Sequence, residues 1–170
     1  MSSGSMGRIF AALESAKVRY LVVGGVAMVL HGHPRLTADL DLVISLVPEN
    51  ARAALRALAG IGFRPHPPVQ PEDLADQKTR AKWIEEKKMR VLTMWNPKDS
   101  LTEIEIFVQE PFPFEEAFAR RFVARIGKTN VPVTAIEDLI ALKRKASRKR
   151  DLEDIEVLER IRRLRKSGHV

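Results

Sequence analysis

The chain has no cysteine. Disulfides, thiolate metal sites and a cysteine nucleophile are therefore excluded, and the composition fits a reducing cytoplasm. Long apolar runs are also missing. The longest, Tyr20 to Leu30, is broken by two glycines and is too short to cross a bilayer, so no membrane partner is expected. The first residues are small and polar and lack the pattern of a signal peptide. Met1 to Met6 reads as an appended leader before a native start at Met6 and is set aside from the expected fold. No internal repeat and no low-complexity tract is present.

Against those absences stand 170 residues, 45% of them hydrophobic. That is enough for one domain with a real core, or a domain with a small helical extension. The net charge is +7. An excess of this size favours an acidic partner: a nucleotide, a nucleic acid or an acidic protein.

Hydrophobic periodicity orders the elements. Helical spacing covers residues 8–17, and a β-branched strand, Tyr20–Val23, runs into Gly24-Gly25. A short helix is expected at Val26–His31, a strand at Leu40–Leu46, and a helix at Pro48–Ile61 that starts on a proline and ends between glycines. After a short strand at Phe63-Arg64 come a proline-rich loop from Pro65 to Pro71 and a charged stretch through Lys88. Met89–Trp95 and Leu101–Val108 are expected to pair as an antiparallel hairpin. A short helix at Phe114–Arg120 and strands at Phe122–Ile126 and Val131–Val133 follow. Thr134-Ala-Ile-Glu137 matches a capping box opening a helix to about Lys145. The last helix, Lys149–Lys166, carries an apolar stripe of Leu152, Ile155, Leu158, Ile161 and Leu164. The expected fold is α/β, a mixed central sheet with a helical C-terminal segment. The weak boundary near Thr134 divides a core, 1–133, from a segment, 134–170.

Chemistry concentrates in three short acids and a glycine pair. Thirteen residues after Gly24-Gly25 comes Asp39-Leu40-Asp41-Leu42, and Glu103-Ile104-Glu105-Ile106 stands further on. Alternating charge marks half-buried strands, so Asp39 and Asp41 share a face at roughly 6–7 Å. At about 7 Å two carboxylates repel by about 2–2.5 kcal/mol at an effective dielectric of about 20. A divalent cation removes the repulsion. Mg²⁺ prefers carboxylate oxygens and keeps positions open for phosphate. A third acid on a neighbouring strand would complete a two-metal site for displacement at phosphorus. Glu105 is the choice, although Glu103 lies on the same face and spacing alone does not separate them.

Gly24-Gly25 followed by Arg35-x-Thr37-x-Asp39-x-Asp41 resembles the signature of the DNA polymerase beta-like nucleotidyltransferase superfamily. Leu139-Ile140-Ala141-Leu142-Lys143, then Arg148-Lys149-Arg150-Asp151 and Asp154, is similar to the C-terminal segment of its branch of AbiEii-type toxins and minimal nucleotidyltransferases. The resemblance runs from about Tyr20 to Leu158. Two positions depart from the pattern: many members carry Gly-Ser at the glycine pair, and Arg150 stands where lysine is common. Glu105, before Ile106-Phe107, matches the family's third acid better than Glu103.

The resemblance implies Mg²⁺-dependent transfer of a nucleoside monophosphate from an NTP to a hydroxyl, with pyrophosphate released. Asp39, Asp41 and Glu105 would be the catalytic, metal-binding acids, for two Mg²⁺ ions or for Mn²⁺. Gly24, Gly25, Arg35, Thr37, Lys143 and Arg148 would bind nucleotide phosphates. The acceptor would be RNA, tRNA among it, or a protein, and a cognate antitoxin would be a partner in the cytoplasm. Antibiotic modification, of an aminoglycoside or lincosamide, is the rival enzymatic reading, although a polycationic acceptor suits a chain of charge +7 poorly. A nucleotide-binding protein without turnover is the non-enzymatic one.

The remaining polar features divide between function and packing. Residues 143–150 hold six cations in eight positions, as a solvated junction or as a phosphate contact. Asp151 and Asp154 form either a further polar site or helix ion pairs. His31 and His33 are expected to be structural or exposed. Trp83 and Trp95 are the residues able to stack on a base, with Trp95 expected in the core.

Overall fold

The computed structural model describes residues 3–168. Helix α1 (Ser3–Ser15) leads to β1 (Tyr20–Val23), α2 (Gly24–Leu30) and β2 (Asp39–Ile44). Then come α3 (Pro48–Gly60), β3 (Arg64–His66), α4 (Pro71–Ala75) and α5 (Gln77–Lys87). The hairpin is β4 (Val91–Asn96) and β5 (Asp99–Phe107), followed by α6 (Phe114–Ala119), β6 (Phe122–Ile126), β7 (Thr129–Val133), α7 (Ile136–Ala146) and α8 (Lys149–Lys166). The strands form one mixed seven-stranded sheet in the order β3-β4-β5-β2-β1-β7-β6. The expected α/β fold is the observed one.

Burial alternates across half of this sheet. Leu40 and Leu42 of β2, Leu92 and Met94 of β4, and Ile104 and Ile106 of β5 are fully buried, while their neighbours Asp41, Thr93 and Glu105 are only half-buried. One face is therefore packed and the other open. The apolar alternation pins the register, because a one-residue slip would drive the acids into the core. Central β1 is buried along its whole length. Helix α3 presents Ala51, Ala54, Leu55 and Leu58 to the core, and Pro48 opens it where no amide donor is needed.

Several local expectations needed correction. Helix α1 begins at Ser3, so residues set aside as a leader are folded in: Ser5 is buried and its hydroxyl donates to Asp99. Met1 and Ser2 lie outside the described residues. The charged stretch after the proline-rich loop is helical. It escapes periodicity because α5 buries only Arg80 and Trp83, and its start is marked instead by Asp76, whose carboxylate accepts from the Thr79 amide. The capping box at Thr134 does not form. The Thr134 amide donates to Val22 and its carbonyl accepts from His31, so the residue extends β7 and Ala135 becomes the N-cap. The stripe of α8 is rotated: Leu152 and Leu164 are exposed, and Asp151 and Asp154 turn inward with Ile155 and Leu158. Trp95 is exposed, 40%, and Trp83 is the buried tryptophan.

Candidate active site

The parallel pairing of β2 with β5 sets Asp39 opposite Glu103 and Asp41 opposite Glu105. Neighbouring strands lie about 4.8 Å apart, so residues distant in sequence share one patch of the open face. The two candidates for the third acid are now separable. Glu105 is half-buried and hydrogen-bonded to the Asp41 carboxyl, whereas Glu103 is exposed.

Asp41 is the strained member. Burial, then the hydrogen bond to Glu105 and the charges of Glu105 and Asp39, push its carboxyl up to about 8, against a smaller opposing effect of Lys143. A carboxyl raised by both desolvation and like charge is a candidate for a functional site. Among the described residues no three acids or histidines already converge as a closed metal cage. Asp41 and Glu105 instead meet across the β2–β5 pairing, with Asp39 two residues along the same strand. The donor set is all carboxylate oxygen, and a hard divalent cation would relieve the repulsion. The residues therefore fit the ion the resemblance implies.

The glycine pair abuts these acids. Gly24 opens α2 directly after Val23, which pairs with Asp41 across the antiparallel β1–β2 register. Its φ is +67°, and a Cβ there would lie 2.0 Å from Asp41 Oδ2. A Cβ on Gly25 would lie 2.6 Å from Thr37 Oγ1 and 3.8 Å from Arg35 Nε. Both positions are thus held to glycine by the site's own side chains. The second contact gives a physical reason for Gly25 where many members carry serine. Thr37 Oγ1 donates to the Asp39 carbonyl at 3.3 Å, tying the loop to the first acid.

The three cations expected to contact phosphate all reach this end of the molecule, and all three are ion-paired there. Lys143 Nζ lies 2.7 Å from Asp154 Oδ2 and 3.8 Å from Asp151, and Arg35 Nη1 donates to both Asp154 oxygens at 2.6 and 2.7 Å. Burial alone would raise the Asp154 carboxyl, yet the hydrogen bonds from Lys143 and Arg35 hold it below the usual range. Arg35 Nε is buried with no hydrogen-bond partner, next to the Gly25 turn. An orphaned donor there suits a phosphate oxygen. Arg148 caps α8 through Asp151 at 2.9 Å, keeps a side chain 78% exposed, and lies within electrostatic reach of Asp41.

Sequence reasoning missed the part played by Asp154. It is the hub that fastens α8 to α7 and to the loop carrying Arg35. Its three-residue spacing from Asp151 was visible, but the inward turn of that face was not. The expectation for the histidines fits the structure: His31 is buried and its Nε2 donates to the Thr134 carbonyl at 2.8 Å.

The comparisons bear on the family and the fold. The family model "Nucleotidyl transferase AbiEii toxin, Type IV TA system" matches residues 8–167. No curated protein matches the chain at a significant level. Among solved structures, the chain is similar to the lincosamide antibiotic adenylyltransferase LnuA with lincomycin bound (TM-score 0.63, 14% identity, covering 95% of this chain and 98% of that one). It is also similar to an antigenic nucleotidyltransferase-like protein from Paracoccidioides brasiliensis (TM-score 0.56, 22% identity, 92% and 74% covered). A third is ANT(2")-Ia in complex with adenylyl-2"-tobramycin (TM-score 0.55, 15% identity, 99% and 98% covered). At these identities the neighbours speak for the fold. Because the family model runs from the first helix to the last, the chain belongs to the AbiEii family of nucleotidyltransferase toxins and is an enzyme of that class.

Proposed function

We propose that this protein transfers a nucleoside monophosphate from an NTP to a hydroxyl of an RNA acceptor, tRNA being the first to test, as the toxin of a toxin–antitoxin pair. The observation that carries this reading is the Asp41–Glu105 pairing across β2 and β5, with Asp39 beside it on β2, pressed against a glycine turn too tight for a Cβ. In the reaction an acceptor oxygen bonds to the α-phosphorus, the bond from that phosphorus to pyrophosphate breaks, and the acceptor's proton leaves to base. Mg²⁺ held by Asp39, Asp41 and Glu105 would neutralise charge on the reacting oxygens. The chain's own groups do the rest. Amides of the Gly24-Gly25 turn and Arg35 Nε donate to triphosphate oxygens. Arg148 supplies an exposed cation at the rim. Glu105 helps to activate the acceptor hydroxyl, and Asp154 fixes Arg35 by a two-oxygen contact. Residues 1–133 form the catalytic core in this reading, and 134–170 a helical segment that supplies Lys143 and Arg148.

The net charge of +7 favours a polyanionic acceptor over a cationic drug. Among the described residues no helix is long and apolar enough to cross a membrane. An RNA acceptor and an antitoxin partner both belong to the cytoplasm. The decisive experiment supplies each α-labelled NTP with Mg²⁺ to total RNA and, separately, to total protein. Label in RNA, lost with EDTA and with Asp39→Ala, is expected. Absence of label from every NTP and acceptor would overturn the reading. The likeness to LnuA favours a second reading, antibiotic modification, which lincosamide resistance on expression would support.

A further inference from the structure

Away from the acids, where the start of α7, the end of α8 and the start of β6 meet, a groove of about 300 Å³ is lined by Arg120, Arg121, Arg162, Arg165 and Lys166 against one carboxylate, Glu137. Only Arg120 is neutralised, by a two-bond contact with Asp138 at 2.7 Å. Among the described residues no ion pair reaches the other four cations. Arg121 instead donates to the Phe118 carbonyl and lies 4.1 Å over the Phe118 ring.

Arg165 is held in place without being neutralised. His31 Nε2 faces the Thr134 carbonyl, so Nε2 carries the ring proton and Nδ1 is a bare acceptor. Arg165 Nη1 donates to that Nδ1 at 3.1 Å, Nη2 donates to the His31 carbonyl at 3.3 Å, and the guanidinium lies 4.9 Å over the Phe122 ring. Every one of these partners is uncharged. An oriented cation among like charges gains most from an anion that bridges them.

The groove and the catalytic acids are joined by one helix. Lys143, which senses Asp41, follows Ile136 at the groove by two turns, about 10 Å at 1.5 Å per residue. A chain of phosphates can span that distance, and a lone phosphate cannot.

We propose that this groove binds the phosphodiester backbone of the RNA acceptor a few nucleotides from the reacting hydroxyl. The proposal rests on the RNA reading above, but it is tested by binding without NTP. Labelled tRNA is titrated with the full chain and with Arg162→Glu/Lys166→Glu at several salt concentrations, with Arg162→Gln/Lys166→Gln as the milder pair should the first fail to fold. The expected result is at least tenfold weaker binding, with a log–log salt slope shallower by more than one, since each single-strand phosphate contact contributes about 0.7. Unchanged affinity and slope would overturn the groove, as would no tRNA binding by the native chain. Inorganic phosphate displacing tRNA at concentrations comparable to the RNA's would overturn the backbone in favour of a lone anion. Labelling of RNA at equal rates and affinities by both proteins would leave transfer standing and remove the groove. Variant-sensitive binding with no transfer from any NTP would keep the groove and remove the transfer reading.

Discussion

Replacing Asp41 by asparagine should stabilise the metal-free protein while abolishing its activity. In the folded chain the Asp41 carboxyl is raised from 3.8 to about 8, chiefly by burial and then by Glu105. The folded state therefore binds this proton more tightly than the unfolded chain does, and stability falls as pH rises from about 4 through about 8. At 1.36 kcal/mol per unit, the penalty at pH 7.5 is about 5 kcal/mol. Asparagine mimics the protonated acid in shape and can donate its amide to Glu105, so it should recover about 2–5 kcal/mol of this, or roughly 5–15 °C in Tm for a chain of this size. The assay is thermal unfolding of both proteins at pH 4.5 and 7.5, with and without Mg²⁺. The gap should be wide at pH 7.5 and small at pH 4.5, and Mg²⁺ should raise only the native protein. An asparagine variant no more stable at pH 7.5, or a gap that ignores pH, would refute the reasoning.

Further substitutions test separate parts of the site. Glu105→Gln should lower transfer at least 100-fold, and Glu103→Gln should stay within about threefold, in a single-turnover labelling assay; the stabilisation withdrawn at Glu105 is about 2.7 kcal/mol or more. Gly25→Ser should also lose activity, since its Cβ would meet Thr37 Oγ1 at 2.6 Å, and adding Thr37→Ala should restore part of it in a double-mutant cycle. Asp154→Ala leaves buried Lys143 and its neighbour Arg35 without their shared acid. It should cost about 3–5 kcal/mol in urea unfolding at pH 7. That difference should shrink in acid, because a carboxyl held low contributes stability above the ordinary carboxylate range and loses it as pH falls through its depressed value.

The site was legible where two signals coincided. Strand alternation placed Asp39, Asp41 and Glu105 on one kind of surface, and the glycine pair stood at a strand end, so local pattern and chemistry agreed. The choice between Glu103 and Glu105 was not available from alternation, which assigns both to one face. It needed the β2–β5 register and the burial that comes with it. The missed features share a cause: in each, tertiary partners overrode a local rule. Thr134 has the residues of a cap but spends its backbone on Val22 and His31. Leu152 has the spacing of a core residue, yet α8 turns Asp151 and Asp154 inward because Lys143 and Arg35 await them. Trp95 reads as core by residue type, and its strand position puts it on the open face, opposite Arg64 of the edge strand.

Two charge clusters of opposite character meet at Lys143. The acids on β2 and β5 repel one another, and burial with those charges raises the Asp41 carboxyl. Behind them Arg35, Lys143 and Arg148 close on Asp151 and Asp154, a set with one positive charge in excess. Lys143 is bonded to Asp154 and opposes the rise of the Asp41 carboxyl, and Arg148 also feels Asp41, so the C-terminal helices act on the acidic face through these cations. The second cluster is buried and fully paired at Lys143 and Asp154, which makes it rigid; the first is half-open and frustrated. Such a division has a functional logic. A site already neutralised would gain nothing from binding a cation, and a frustrated site without a rigid base would relax by moving its acids apart. The register against β5 and the contact of Gly24 with Asp41 deny that escape, so the repulsion persists until a cation removes it.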